Sequence, residues 1–388
     1  MRRSTRTISA ARLRTVIIDN SLLLALGTVT GLVWANTDAS SYTRFSRAIQ
    51  FIVNDIGMVF FFALAVKEIV EATLPGGALE SPREAAVPIL AAAGGIAGPA
   101  CLYLLQTMVL DRPDLSAGWA IPCATDIAFS YLAARAIFPR DHPAIPFLLL
   151  LAVADDAIGL VLLALFFPAS DVSLVRLAAL MVLALAVAAW LRLRRTTSFW
   201  PYLTLGGGLS WAALFFGGIH PALAMVPILP FMPHAKRDLG LFDPFEPDLP
   251  DTMNRFEHAW KVPVQFILLF FGLVNAGVVF SSVGSGTWIV FLALLLGKPI
   301  GIVGTTYIAV RSGLKAPGGV SYRDLTVMAV TAAVGFTVSL FFATAAFPPG
   351  PLLDETKMGA LMSFLAAPIA LAFGRLVGLR PNEPSRTR

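Results

Sequence analysis

The chain has 388 residues, of which 57% are hydrophobic and only 14% charged, and its formal net charge is +5. A soluble domain carries about 25% charged residues, so this composition excludes an ordinary soluble protein and indicates a polytopic membrane protein. Four His and two Cys leave little material for a disulfide framework or a transition-metal site.

Apolar runs recur along the whole chain, and about twelve of them are predicted as membrane spans, for which a helix needs roughly 20 residues. The predicted spans are 16–36, 50–72, 85–107, 119–137, 144–168, 172–192, 199–217, 219–233, 258–281, 287–310, 324–347 and 357–377. The sequence thus predicts an all-α polytopic fold. One membrane domain would cover 1–388, with a basic cytoplasmic N-terminal tail at 1–15 and a cytoplasmic C-terminal tail at 378–388.

Basic residues are divided unevenly between the two sides that these spans define. With a cytoplasmic N-terminus, most of the 29 Lys and Arg fall at cytoplasmic ends and loops. The exceptions are Arg44, Arg47, Arg112, Arg176 and Lys357 on the other side and Lys298 inside a span. Since cytoplasmic loops carry an excess of Lys and Arg, the basicity reports topology and does not indicate a nucleic-acid partner.

The fourth predicted span contains a proline close to two polar residues. Pro122 removes a helix donor and disfavours helical geometry at the residue before it, so this span is predicted to be interrupted. Thr125 and Asp126 then lie beside free half-helix ends. A simple proline kink capped by Asp126 is the alternative, and the two interpretations are compatible because a helix N-terminus stabilises a negative charge.

The fifth predicted span carries two adjacent carboxylates, Asp155 and Asp156, near its middle. Each costs roughly 2.5–3.5 kcal/mol at the centre of a bilayer, which favours a functional role over a purely structural hydrogen bond. Adjacent helical residues are separated by about 100°, so the two cannot share a proton face to face. One can face Lys298, while the other faces a cavity shared with Thr125 and Asp126.

Two further spans carry polar groups. Lys298, in the tenth span, needs a partner because an unpaired buried cation is costly. The candidate partners are Asp155, Asp156 and the C-terminal ends of interrupted helices, and snorkelling to the interface is the alternative. In the eleventh span, Gly335, Thr337 and Ser339 offer backbone freedom and hydroxyls, although small residues in membrane helices often serve packing. Interrupted segments in both halves of a chain point to a transporter site, and its oxygen ligands suit a small hard cation.

Five stretches carry a family resemblance: 118–129 (GWAIPCATDIAF), 154–159 (ADDAIG), 274–278 (VNAGV), 297–301 (GKPIG) and 335–341 (GFTVSLF). In this order the chain resembles the NhaA-type sodium/proton antiporters of bacterial inner membranes. The resemblance implies twelve helices in an inverted-repeat fold, with the fourth and eleventh discontinuous and crossing near the midplane.

The resemblance also implies roles for individual residues. Asp126 would compensate the positive half-helix ends and Lys298 the negative ones. Asp156 would be the principal cation ligand, with Thr125 as an additional one. Asp155 would contribute to the site for transported Na+ and pair with Lys298 when the cation is absent.

The chain departs from the family pattern at positions associated with pH sensing. A Glu commonly precedes Lys67 by two residues, where this chain has Ala65, and Glu68 follows the Lys. Glu257 and His258 are kept, but Lys261 stands where a second His is common. Asp55 matches a family acidic position whose role the sequence does not specify. The loop at about 37–47 is too short for the β-hairpin linked to dimerisation in some relatives, so the sequence gives little support for a homodimer.

The expected function is secondary active transport. Sodium and protons compete for the same carboxylate oxygens, so we expect an electrogenic sodium/proton antiporter. The resemblance further implies that Li+ is also transported, and that the protein exports sodium across the bacterial inner membrane for pH and sodium homeostasis. It would not be an enzyme and would need no cofactor. The absence of a Gly-x-Gly-Asp motif argues against an intramembrane aspartyl protease. A sodium-coupled solute symporter on the same scaffold remains the alternative.

Overall fold

The computed structural model describes residues 22–75, 77, 79, 81–139, 141–234 and 251–379. Throughout these ranges the regular structure is helical, without a β-strand. The predicted all-α fold is therefore confirmed for the described part of the chain. Both predicted tails lie outside the described residues, apart from positions 378 and 379.

Fifteen α-helices make up this part of the chain. They are α1 (Leu22–Thr37), α2 (Ala39–Phe51), α3 (Met58–Ala72), α4 (Pro82–Val109), α5 (Ile127–Ile137), α6 (Ala144–Phe166), α7 (Leu174–Leu193), α8 (Gly208–Gly217), α9 (Thr252–Asn275), α10 (Ser285–Leu292), α11 (Lys298–Arg311), α12 (Tyr322–Thr331), α13 (Phe336–Ala346), α14 (Pro351–Met362) and α15 (Ala366–Leu376).

Seven continuous helical segments among the described residues are long and apolar enough to cross a membrane. They agree with seven of the predicted spans. An eighth candidate is the pair α12 and α13, which passes the same criteria but bends by 54° at its break. This bent pair is the predicted eleventh span. The protein is an integral membrane protein, as its composition predicts.

Three long helices contain a π-helical turn, a local widening that is common at functional sites. These turns are Ile52–Gly57, Tyr202–Gly207 and Ala293–Gly297. The first contains Asp55 and the third directly precedes Lys298. The structure therefore places both of these charged residues at irregular turns of their helices.

Two predictions of local structure are wrong. The stretch at 37–47 was expected to be a loop, but Asp38 caps α2 by accepting a hydrogen bond from the Ser41 N–H at 3.0 Å. That helix continues into the second span. The eighth predicted span contains no α-helix; it forms two 3-10 turns, Pro221–Leu223 and Leu229–Phe231. Four prolines between 221 and 233 remove donors and prevent a regular helix.

Close helix crossings hold the bundle together. Where α4 crosses the junction of α10 and α11, Gly94 and Gly98 lie against Gly297 and Gly301. A Cβ at Gly98 would collide with the Gly297 carbonyl oxygen, and one at Gly301 with the Gly94 carbonyl oxygen. Small residues four apart allow such backbone contact between membrane helices. Lys298 is fixed within this crossing.

A second close crossing joins α1 to α9. Gly27 and Gly31 lie directly against the backbone of Leu269 and Leu273, where a Cβ would clash. Nearby, the buried side chains of Asn54 and Asn275 exchange two amide hydrogen bonds of 3.1 and 2.8 Å. These contacts tie the second span to α9 and fix one wall of the cavity described below.

Candidate functional site

The two interrupted segments cross at the centre of the molecule. A 3-10 turn, Ile121–Cys123, is followed by extended backbone at Ala124 before α5 begins. The hydroxyl of Thr125 donates to the Ala332 carbonyl at 3.2 Å, and the Ser339 hydroxyl donates to the Ile121 carbonyl at 2.7 Å. The freed backbone groups are thus satisfied across the crossing, as non-helical backbone at membrane depth requires.

Gly335 permits this crossing. A Cβ at this position would lie 2.7 Å from the Ala124 carbonyl oxygen and 2.9 Å from Leu294 Cδ2. Those approaches are too close for any side chain, so the segment before α13 can reach the fourth span only with glycine here. Gly335 was expected to provide backbone freedom, and the structure shows that a glycine is needed where this segment contacts the Ala124 carbonyl.

Asp126 lies between the N-termini of two helices. It is the N-cap of α5, where its carboxylate accepts a hydrogen bond from the Phe129 N–H at 3.4 Å. The same carboxylate accepts hydrogen bonds from the N–H of Thr337, at 3.2 Å, and from its hydroxyl. Thr337 is the second residue of α13. Since a helix N-terminus carries a partial positive charge, one carboxylate neutralises two such ends.

Lys298 occupies the opposite electrostatic position. Its side chain is completely buried, and its Nζ donates to Asp155 Oδ2 at 2.9 Å. The ammonium also donates to the carbonyl of Cys123, the last residue of the 3-10 turn. Helix C-termini carry a partial negative charge, so the ammonium faces one full and one partial negative charge.

The adjacent carboxylates of α6 have different surroundings, as their angular separation requires. Asp155 is 2% exposed, and its Oδ1 is buried without a hydrogen-bond partner among the described residues. Asp156 is half-buried and lies on the wall of a cavity of about 340 Å³. One carboxylate is therefore enclosed with a cation, while the other faces open space.

This cavity, called the vestibule below, reaches Asp156 from one end of the bundle. Its polar lining residues are Glu68, Thr125, Asp126, Tyr131, Asp156, Gln265 and Thr337. Glu68 lies near the end of α3, and Gln265 lies just past the middle of α9 but in the first half of the predicted span 258–281. The basic-residue pattern places the end of α3 and the start of that span toward the cytoplasm. The vestibule thus lies on the predicted cytoplasmic side of the crossing.

On the other side of the two carboxylates the packing is tight and aromatic. A cavity of only about 20 Å³ lies there, bordered by Asp155, Asp156, Phe62 and Phe342. That volume admits about one water molecule. The Phe62 and Phe341 ring centroids are 5.1 Å apart in an edge-on contact. Access to Asp156 is therefore one-sided in this conformation.

The predicted pH-sensing residues do not lie together in the structure. Lys67 Nζ lies 2.5 Å from carboxylate oxygens of both Glu71 and Glu257, joining α3 to α9. His258 is exposed on α9. Glu68 is separate from this ion-pair group because it lines the vestibule.

Asp55 lies apart from the central site. Its carboxylate is 3.7 Å from His220 Nδ1, and its backbone carbonyl accepts a hydrogen bond from Trp211 Nε1 at 2.8 Å. These contacts connect the first π-helical turn to the proline-rich eighth segment. Asp55 does not line the vestibule.

The profile of the family described as Na+/H+ antiporter 1 matches residues 16–374. The chain belongs to this family. Curated relatives include proteins of Desulfitobacterium hafniense, 45% identical over 93% of this chain and 95% of theirs, and Geobacter metallireducens, 44% identical over 93% and 96%. A relative from Jannaschia sp. is 42% identical over 95% and 98%. Each is described as Na(+)/H(+) antiporter NhaA.

Within this member of the family, sequence reasoning missed three features of the site. It included the C-terminal ends of interrupted helices among the candidate partners of Lys298, but it did not identify the Cys123 carbonyl as the acceptor, because a backbone acceptor leaves no sequence signal. It considered Glu68 only as a possible pH-sensing residue, and it did not identify Gln265. The available signal for Gln265 was its position as a polar residue three residues before Leu268 in an apolar helix.

Proposed function

We propose that the protein is a secondary transporter that exchanges sodium, and lithium in its place, for protons. The single observation that supports this most directly is the contrast between Asp155, enclosed with Lys298, and Asp156, open to the vestibule. Carboxylate oxygens bind either a proton or a small hard cation, so occupancy of the site by one excludes the other.

Asp156 is the principal cation ligand in this proposal. Thr125 lines the same cavity and supplies a hydroxyl oxygen. Asp155 completes the oxygen set when it turns from Lys298 toward the cation, and its unpartnered Oδ1 already lies beside the small cavity that both carboxylates border. Release of the cation returns Asp155 to its ion pair.

Asp126 and Lys298 have supporting roles. They neutralise the partial charges of the interrupted segments, so the crossing is stable without a bound ion. Neither residue is required as a direct ligand. Their fixed charges also keep the crossing intact while the cation and the proton replace one another at Asp156.

Transport requires that Asp156 face the two sides of the membrane in turn. The vestibule gives access from the predicted cytoplasmic side, and the aromatic packing closes the other. Sodium taken up from the cytoplasm displaces protons, and the proton gradient returns protons from outside. If more protons than sodium ions move in each cycle, net charge crosses the membrane and the exchange is electrogenic.

The remaining assignments follow from the family and the charge distribution. We place the protein in the bacterial inner membrane with both termini in the cytoplasm, as one membrane domain that exports sodium and contributes to pH homeostasis. It acts without a cofactor and catalyses no chemical conversion. The relatives named above are all described as antiporters, and no contact among the described residues favours solute symport.

The test is exchange in everted membrane vesicles, followed as dequenching of an acridine dye on addition of Na+, Li+ or K+ across a range of pH. Wild-type protein should respond to Na+ and Li+ and not to K+. Asp156→Asn should abolish the response while leaving membrane insertion intact. Asp171→Asn, the same change at an exposed position soon after α6, is the matched control.

Two results would refute the proposal. The first is an Asp156→Asn protein that exchanges at the wild-type rate. The second is a wild-type sodium flux that depends on a co-transported solute and releases no protons, which would favour the symporter.

A further inference from the structure

The vestibule contains two oxygen-bearing side chains that the exchange mechanism above does not use. Glu68 lies on its α3 wall and Gln265 on its α9 wall. Both are on the predicted cytoplasmic side of Asp156. Their chemistry matches that of a sodium ligand, since hard cations prefer carboxylate and carbonyl oxygens.

Glu68 is aligned with the site along one face of α3. Phe61, Leu64, Ala65 and Glu68 all line the vestibule, which is the spacing of a single helix face. Phe61 and Ala65 also border the small cavity beside Asp156. Three residues of helix rise about 4.5 Å, so Glu68 stands about one helical turn from the level of Asp156.

The neighbouring charges do not neutralise Glu68. Lys67 is directed to Glu71 and Glu257, at 2.5 Å from each. Among the described residues Glu68 forms no salt bridge of its own. Its carboxyl oxygens therefore remain available to a ligand at the half-buried wall of the vestibule.

Gln265 provides an independent observation. Its Oε1 is buried and has no hydrogen-bond partner within the described ranges. Buried side-chain oxygens are nearly always hydrogen-bonded or bound to an ion or water. Val264 and Leu268 on the same helix line the vestibule as well, so this oxygen belongs to the wall of a space that a ligand can enter.

The nearest cationic side chain on the facing helix is occupied. Arg135 donates to the Tyr131 hydroxyl at 2.8 Å and lies over the Tyr131 ring. Tyr131 itself lines the vestibule. The ring and hydroxyl of Tyr131 thus hold the guanidinium beside α5.

We propose that Glu68 and Gln265 form a waiting site that holds a partly hydrated sodium ion in the vestibule before the ion reaches Asp156. This inference rests on the proposed exchange function and adds a step to its cytoplasmic side. A cavity of about 340 Å³ has room for several waters at about 30 Å³ each. The ion therefore keeps part of its hydration at the waiting site and loses it only at Asp156.

The experiment measures the apparent KM for Na+ separately on each face of the membrane. Everted vesicles present the cytoplasmic face to added Na+, and right-side-out vesicles present the other. Glu68→Gln and Gln265→Leu should each raise the KM on the cytoplasmic face by about threefold to tenfold, because a charged, low-dielectric cleft concentrates cations. The maximal rate and the KM on the other face should stay at wild-type values.

Glu71→Gln is the matched control. It removes one negative charge three residues further along α3, from a carboxylate paired with Lys67, and should leave both KM values unchanged. If Glu68→Gln protein fails to insert, Gln265→Leu decides the question, since its cytoplasmic KM must rise on its own.

The waiting site is overturned if both variants keep the wild-type cytoplasmic KM, if Glu71→Gln shifts it equally, or if the shift is the same on both faces. A general loss of structure would produce this last result. Failure of the proposed exchange function would give a different set of results. In that case wild-type vesicles would show no sodium-dependent proton movement, and Asp156→Asn would change nothing.

Discussion

Asp155 and Asp156 are consecutive residues of one helix, yet the structure gives them opposite environments. Asp155 is enclosed with an ammonium and a carbonyl, whereas Asp156 borders the vestibule of about 340 Å³. A rotation of about 100° along the helix separates a fixed charge from an exchangeable one. The neighbours of an acidic side chain, more than its depth in the membrane, thus decide whether it is held in an ion pair or left accessible.

The largest effect is expected from removing the Lys298 ammonium that is buried with Asp155. Lys298→Met leaves Asp155 buried without its partner, and breaking a buried pair in this way costs about 3–5 kcal/mol. We expect a strong loss of thermal stability in detergent, measured by tryptophan fluorescence on heating, together with loss of exchange.

The double variant Lys298→Met with Asp155→Asn sharpens this comparison. It removes both charges, so we expect most of the lost stability to return while exchange stays impaired, because an oxygen ligand is missing. Equal instability of the single and double variants would mean that Lys298 acts through packing and not through its charge.

A smaller effect is expected at the crossing of the interrupted segments. Asp126→Leu removes the acceptor of the Phe129 and Thr337 hydrogen bonds, and loss of a capping or buried acceptor costs about 1–3 kcal/mol. Asp126→Asn keeps an oxygen acceptor and should be milder in the same melting experiment. If the two variants melt together, the carboxylate does not stabilise the helix ends.

The glycine crossing should respond to a single added methyl group. Gly301→Ala places a Cβ against the Gly94 carbonyl, and such overpacking costs about 1–3 kcal/mol. Gly304→Ala, on the same helix with nothing within 4 Å of the added atom, serves as the control. We expect a lower melting temperature only for Gly301→Ala, and a similar loss in both would contradict the crossing.

The smallest effect is expected in the exposed loop after α4, which contains Arg112 and Asp114. The Arg112 guanidinium holds the pKa of the Asp114 carboxyl below its ordinary value of 3.8. A carboxyl with a lowered pKa stabilises the fold above that ordinary value, and the contribution disappears as the pH falls through the folded-state pKa. Asp114→Asn should change the unfolding free energy by less than about 0.5 kcal/mol at neutral pH, with a difference from wild type that shrinks on acidification.

Much of this architecture follows from the sequence because its signals are local. The apolar runs predicted the long helices, and Pro122 predicted the break before Asp126. The cost of a buried ammonium predicted that Lys298 has a partner, with two nearby acids and the helix C-termini as candidates. Each inference needs only the neighbouring residues and the properties of a bilayer.

Other features depended on tertiary contacts and could not be predicted. The residues alone did not show which of the two adjacent acids meets Lys298, because that depends on the rotation of α6 within the bundle; the family resemblance implied Asp155, and the structure agrees. The shared vestibule position of Glu68 and Gln265 depends on how α3 packs against α9. Residues 37–47 were wrongly predicted as a loop because their polar composition hides a helix that begins at an Asp38 cap.

The close contact of α4 with α11 constrains how this molecule moves. With no side chains between the two backbones at Gly94 and Gly301, neither helix can slide or roll along the other without first separating. The pair therefore behaves as a rigid body, and the Lys298 ammonium travels with it. Any switch of access must come from helices that move relative to this pair, which makes distances measured from α4 a fixed reference for spectroscopy of the transport cycle.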